Sequence, residues 1–171
     1  MHEMTASIDE ERAAPPRIPD TELIDQRGQS VRFYSDVMKG HIVVINTIFT
    51  TCTTICPPMG ANYAKLQKIL RTQGATNVKL ISISVDPLVD TPERLTKWAG
   101  NFGAGPEWTL LTGTRSNVQT VLKALRVFAA DKNEHTSMVL IGDDTGTNWV
   151  RTNALASPAR LAELALSRKG P

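Results

Sequence analysis

At 171 residues, with 41% hydrophobic, 21% charged and 5% aromatic side chains, the chain is sized for one domain around one core. It is too apolar for a disordered segment, and 19 Lys and Arg against 17 Asp and Glu leave a net charge of +2, which excludes a basic nucleic-acid footprint. The cysteine count is 2, and both lie in Cys52-Thr53-Thr54-Ile55-Cys56, too close together to staple distant parts of a small fold.

Residues 1–20 carry Pro15, Pro16 and Pro19, mixed charge and no apolar periodicity, so they read as a flexible lead-in to a domain over 21–171. No apolar run reaches 18 residues, and no basic start precedes an apolar stretch. Neither a membrane span nor a leader is therefore expected within the chain. Leu23–Asp25 and Ser30–Tyr34 flank a turn at Gly28 and predict a hairpin. His41–Phe49 is β-branched and almost continuously apolar at its start, the pattern of a strand buried on both faces. After the cysteine loop, Pro57-Pro58 can open a helix, because a proline in the first turn has no donor to lose. Met59, Tyr63, Leu66, Ile69 and Leu70 continue it to Gly74.

The alternation then repeats. Val78–Val85 predicts a strand, and Thr91-Pro92 a helix running to about Asn101. Trp108–Leu111 predicts a short strand, and Thr114 or Ser116 caps a helix bearing Val118, Val121, Leu122 and Leu125. Ser137–Ile141 and Thr147–Arg151 predict paired strands around Asp143–Gly146, and Ser157-Pro158 opens a last helix. Strands alternating with helices imply parallel crossovers, and the final hairpin adds an antiparallel end. The expected fold is α/β: a thioredoxin-like mixed central sheet flanked by helices, with an N-terminal β-hairpin.

The cysteine loop sits where a buried strand meets a helix start, and the positive end of a helix favours thiolate over thiol. If the C-x3-C turn is helical, Cys52 and Cys56 share a face with Cβ atoms about 6 Å apart. That suits convergence on one ion better than a disulfide, whose Cβ atoms lie about 3.8 Å apart. Two inert buried thiols, a structural disulfide and a redox pair remain alternatives. Of the histidines, His2 lies in the lead-in and His41 at the far end of its strand. His135 lies just before Ser137–Ile141, in the loop that a thioredoxin-like sheet sets beside the cysteines. Thiol–disulfide exchangers carry a proline there, and this chain has none from Asn133 to Gly142. Cys52, Cys56 and His135 would give two thiolates and one imidazole, a donor set for copper in either oxidation state. Met59 and Met138 are additional sulfur donors by type, but their positions read as core.

Phe49–Pro57 and Ser84–Pro92 (Ser-Val-Asp-Pro-Leu-Val-Asp-Thr-Pro) resemble the F-[ST]-x-C-x-x-x-C-P and S-[VI]-D-P-x-x-D-T-P segments of the Sco/SenC family, and His135 matches its late histidine. The resemblance covers roughly residues 20–167. It implies a copper-binding metallochaperone, with Cys52, Cys56 and His135 as metal ligands, that assists assembly of the dinuclear copper site of cytochrome c oxidase. Reduction of the target's cysteines by Cys52 and Cys56 would be a further activity. It also implies an extracytoplasmic location, a monomer, and as partner the oxidase's copper-site subunit or another copper chaperone. The alternative is a thiol–disulfide oxidoreductase using Cys52 and Cys56 without metal. A thiol peroxidase fits less well, because Phe49 stands where those enzymes have threonine. Asp86 and Asp90 match motif acids: Asp86 reads as a strand-end residue near the site, and Asp90 as an acid suited to the next helix's dipole. Thr53-Thr54 replaces the acidic residues many members carry, so the loop is expected to lack a nearby carboxylate.

Overall fold

A computed structural model describes residues 11–12, 17–134, 137–145 and 148–168. Among the described residues, eight strands form one mixed sheet in the order β1-β8-β7-β4-β5-β6-β2-β3. They are β1 (Glu11–Arg12), β2 (Glu22–Asp25), β3 (Ser30–Arg32), β4 (Ile42–Ile48), β5 (Val78–Ser84), β6 (Trp108–Thr112), β7 (Met138–Gly142) and β8 (Val150–Asn153). The helices are α1 (Cys56–Thr72), α2 (Pro92–Gly100), α3 (Arg115–Ala124) and α4 (Pro158–Leu166). β4, β5 and β6 run parallel, whereas β7 joins β4 antiparallel and β2 joins β6 antiparallel. The expected α/β, thioredoxin-like architecture with its N-terminal hairpin is present.

β4 is central, and all seven of its residues are buried. Its side chains alternate between two cores, as a pleated strand requires. Ile42, Val44 and Ile48 face a cluster completed by α1, α2 and α4. Val43 and Ile45 face a second cluster built with α3. Tyr63 pins α1 to the sheet: its hydroxyl donates to the Val44 carbonyl at 2.7 Å, and its ring meets Trp108 edge-on at 5.3 Å. The N-terminal end of α1, and with it the cysteine loop, is thereby fixed at the C-terminal edge of β4.

Three elements depart from the sequence reading. Glu11–Arg12, inside the expected lead-in, pair with Arg151 and Val150 as an edge strand. The second hairpin strand stops at Arg32, and Phe33–Met38 forms a wide π-type turn that buries Phe33, Val37 and Met38. Side-chain acceptors direct that turn. Asp36 takes the Arg32 N–H at 2.7 Å, and Asp20 takes the Ser35 N–H and hydroxyl at 2.8 and 2.6 Å. The last strand occupies Val150–Asn153 rather than Thr147–Arg151, and residues 146–147 lie outside the described residues. Gly28 (φ 81°) makes the hairpin turn and Gly74 (φ 65°) ends α1, both in the left-handed region that glycine enters without strain.

Candidate metal and thiol site

The site begins where β4 ends. Parallel pairing sets Ile48 beside Ser84 of β5, so the residues that follow each strand meet above the sheet edge. From the β5–α2 loop, the carboxylate of Asp90 accepts the Thr50 N–H through both oxygens at 3.2 Å, and the Thr50 hydroxyl at 2.5 Å. It also accepts the Ser84 hydroxyl at 2.7 Å. Ser84 in turn accepts the Asp86 N–H at 3.1 Å. Asp90 is completely buried. Thr91, the next residue, caps α2 by accepting the Arg94 N–H at 3.3 Å. The reading of Asp90 as an acid serving the α2 dipole is therefore corrected: it anchors the cysteine loop. The expectation that this loop lacks a nearby carboxylate is corrected with it, because the acid arrives from a different segment.

Cys52 follows this anchor, its N–H donating to the Phe49 carbonyl at 3.0 Å. α1 starts only at Cys56, so the two cysteines do not share a helical face; Cys52 lies in the loop ahead of it. What joins them is a hydrogen bond from the Cys56 N–H to Cys52 Sγ at 3.4 Å. Ile55, at the N-cap position, offers no capping side chain, and the sulfur of Cys52 takes that role. Thr54 Oγ1 lies 3.7 Å from the same sulfur. Neither cysteine is joined in a disulfide and both are buried, Cys56 completely.

These surroundings split the two thiols. Burial works to raise the Cys52 pKa, but hydrogen bonds from the Cys56 thiol and amide and from Thr54 outweigh it, and the net shift is downward. For Cys56, burial is the largest cause, and with the bond to Cys52 and the charge of Asp90 it pushes the pKa far up. The two shifts run in opposite directions, toward the thiolate at Cys52 and toward the protonated thiol at Cys56. In metal-free protein, iodoacetamide should modify Cys52 first. Its rate should fall as pH drops through a midpoint below that of an ordinary thiol, while Cys56 stays unmodified until the chain unfolds. Mass spectrometry of the alkylated peptides reads this directly, and equal labelling of both cysteines at neutral pH would contradict it.

His135 lies outside the described residues. Among the described residues, no group of three His, Cys, Asp or Glu side chains is disposed to hold a metal ion. His41 precedes β4 at the end away from the cysteines, as expected, and burial lowers its pKa. Met59 is core. Met138 opens β7, half-buried. Asp86 lies beside the loop, as the sequence suggested. Its ion-pair partner, Lys132, was not foreseen: Nζ lies 2.9 Å from Asp86 Oδ2 and 5.4 Å from the centre of the Phe49 ring. The pairing spans 46 residues of chain, and no local pattern announces it.

Residues 9–164 match the SCO1/SenC family model. The chain belongs to the SCO1/SenC family. It is 40% identical over 108 residues to a SCO1 protein homolog of Bacillus subtilis, covering 62% of this chain and 53% of that one. It therefore spans about half the length of that relative. Two solved SCO1/SenC structures share the fold. The copper-bound ScoI of Bradyrhizobium japonicum superposes with a TM-score of 0.74 at 25% identity, covering 90% of this chain and all of that one. BsSco, described as carrying a disulfide switch and as a member of the Sco family of cytochrome c oxidase assembly proteins, superposes with a TM-score of 0.78 at 28% identity, covering 92% and 95%.

Proposed function

We propose that this SCO1/SenC chain is a copper-binding metallochaperone that assists assembly of the dinuclear copper site of cytochrome c oxidase, with Cys52, Cys56 and His135 as copper ligands. The observation that carries the reading is the pair of adjacent cysteines joined through one N–H···S bond. Two soft sulfur donors, one already inclined to the thiolate, fit Cu(I), and an imidazole extends the set to Cu(II). The copper bound in the Bradyrhizobium relative supports the choice of metal. Within the chain, Cys52 supplies the first thiolate, and Cys56 must give up its proton for copper to bind through it. Asp90 holds the loop in place while this occurs. The partner is the oxidase's copper-site subunit or another copper chaperone, and the site of action is extracytoplasmic. No helix among the described residues is long and apolar enough to cross a membrane.

The asymmetry of the thiols favours a second activity at the same place. Cys52 can attack a disulfide of the target as thiolate, and Cys56 can then resolve the mixed disulfide, leaving Cys52–Cys56 oxidised and the target reduced. One experiment separates the two. Reduced protein is loaded with Cu(I) without oxygen, dialysed against a chelator and analysed for metal, beside a peptide carrying an oxidised copper-site cysteine pair. Retention of about one copper per chain is the expected result for a soft two-thiolate site. Reduction of the peptide without copper retention would move the function to the oxidoreductase alone.

A further inference from the structure

We infer that the cleft between the Phe128–Asp131 segment and the Val85–Leu88 loop is the docking groove for the protein that exchanges copper with Cys52 and Cys56. Its occupant is an extended segment of that partner, with a large apolar side chain between Leu88 and Phe128 and a carboxylate on Arg115. The choice of partner rests on the function proposed above; the groove itself does not.

Among the described residues, three large apolar side chains are exposed: Leu88, Phe128 and Leu155. Single side chains of this kind are ordinary on a protein surface. These three, however, share one edge of the sheet. Leu88 follows β5, which runs parallel to β4. Phe128 precedes β7, which runs antiparallel to β4. Leu155 follows β8, whose last residue, Asn153, pairs with Met138 at the start of β7. All three therefore sit at the edge where β4 delivers the cysteine loop. Leu88 and Phe128 line one cleft of about 420 Å³, floored by Val118 and Leu122 of α3. The cleft reaches the cysteine loop at Lys132, whose Nζ lies 2.9 Å from Asp86 Oδ2 and 5.4 Å from the centre of the Phe49 ring. Phe49 in turn accepts the Cys52 N–H. Cys52 is only 8% exposed, so a protein that brings a sulfur to it must cover the surrounding edge.

The two walls of the cleft select an extended chain. The Val85–Leu88 wall is tied down: the Val85 N–H donates to the Ile48 carbonyl at 2.9 Å and the Asp86 N–H to Ser84 Oγ at 3.1 Å. On the other wall, Val127 is bonded back to the Leu122 carbonyl at 2.9 Å. Beyond it, among the described residues, no hydrogen bond holds the backbone of Phe128, Ala129 or Ala130. Open N–H and C=O groups along an apolar cleft match the backbone of an extended peptide, which a lipid tail cannot offer. Charge sets the rest. Asp86 is matched by Lys132. Arg115, at the start of α3, has no acidic partner among the described residues. Lys123 Nζ stands 4.9 Å from the centre of the Phe128 ring. Against these two cations the cleft sets only Asp131, so it keeps a positive surplus beside its apolar surface.

The test uses the metal-free full chain and two variants, Leu88→Asp and Arg115→Glu. Neither threatens the fold: Leu88 is 75% exposed, and an acid suits the first turn of a helix. Isotope-labelled protein is titrated with a short capped peptide that alternates leucine and glutamate, and with its leucine–lysine counterpart. Amide shifts should concentrate on Val85–Leu88, Phe128–Asp131 and the first turn of α3, with the glutamate peptide preferred. Leu88→Asp should weaken binding about 10-fold. Arg115→Glu should reverse the preference toward the lysine peptide. No binding, shifts on another face, or equal binding of the two peptides overturns the groove. Self-association of the chain that Leu88→Asp abolishes gives the cleft to a second copy and also overturns it. A second arm follows copper transfer from the loaded chain to the soluble copper-site domain of the oxidase subunit. Leu88→Asp should slow transfer about 10-fold at unchanged Cu(I) affinity. Unslowed transfer beside weakened peptide binding overturns the assignment to that partner. If the wild type retains no copper, the proposed function fails and the partner with it, whereas the peptide titration still decides the groove.

Discussion

Replacing either cysteine with serine should lower Cu(I) affinity by more than about 100-fold, beyond what loss of an outer partner costs, yet the two variants should differ sharply in metal-free stability. Cys52 Sγ accepts the first N–H of α1, and a serine oxygen is among the better acceptors for a helix N-terminus. Cys52→Ser should therefore melt close to the wild type, within about 1 kcal/mol. Cys56 is different: it is completely buried within the cluster formed with α1 and α2. A serine hydroxyl there, on a shorter bond than the thiol, is drawn back from Cys52 Sγ, and burying a hydroxyl with a weakened partner costs about 1–3 kcal/mol. At 171 residues that corresponds to roughly 2–12 °C in Tm. Chelator competition and thermal melts on the same samples separate ligand loss from fold loss. Wild-type affinity in Cys52→Ser, at any stability, would remove the thiolate pair as the metal site.

How far these residues could be read from the chain depends on the range of the interaction. The cysteine loop was legible because its signals are local: a β-branched run before it and two prolines after it. That the loop itself is not helical was not legible, because whether C-x3-C starts one turn earlier depends on how Thr50 is held from outside. The π-type turn at Phe33–Met38 escaped for a similar reason. Asp20 and Asp36 redirect backbone donors that an alternating pattern would assign to a strand. Asp90 was assigned to the helix it precedes in sequence, whereas its partners lie on other segments, 40 residues away at Thr50 and 6 at Ser84. Only the parallel register of β4 on β5 brings them together. Lys132 carries no periodicity or motif, and its pairing with Asp86 follows entirely from the tertiary fold.

Asp90→Ala should be the most destabilising single change in the site. It leaves three donors without their acceptor: the Thr50 N–H, the Thr50 hydroxyl and the Ser84 hydroxyl. Hydrogen bonds to a charged acceptor contribute about 1.5–3 kcal/mol each, and they are not additive. A net loss of about 3 kcal/mol is expected once the two hydroxyls turn to other acceptors. For a chain of 171 residues this lowers Tm by roughly 6–12 °C. Asp90→Asn keeps one acceptor oxygen and should lose about half as much. The consequence for the thiols is separable from stability. Removing the carboxylate withdraws a charge that helps keep Cys56 protonated, so Cys56 should ionise more easily in both variants than in the wild type. Removing the anchor also frees Thr50, and through Ser84 it loosens Asp86, the partner of Lys132. Asp90→Ala should thus widen the alkylation of the cysteines from Cys52 alone to both, at temperatures well below its own melting point. A Tm within about 2 °C of wild type, a shift worth less than one such bond, together with unchanged selectivity for Cys52, would show that the cysteine loop holds its shape without Asp90.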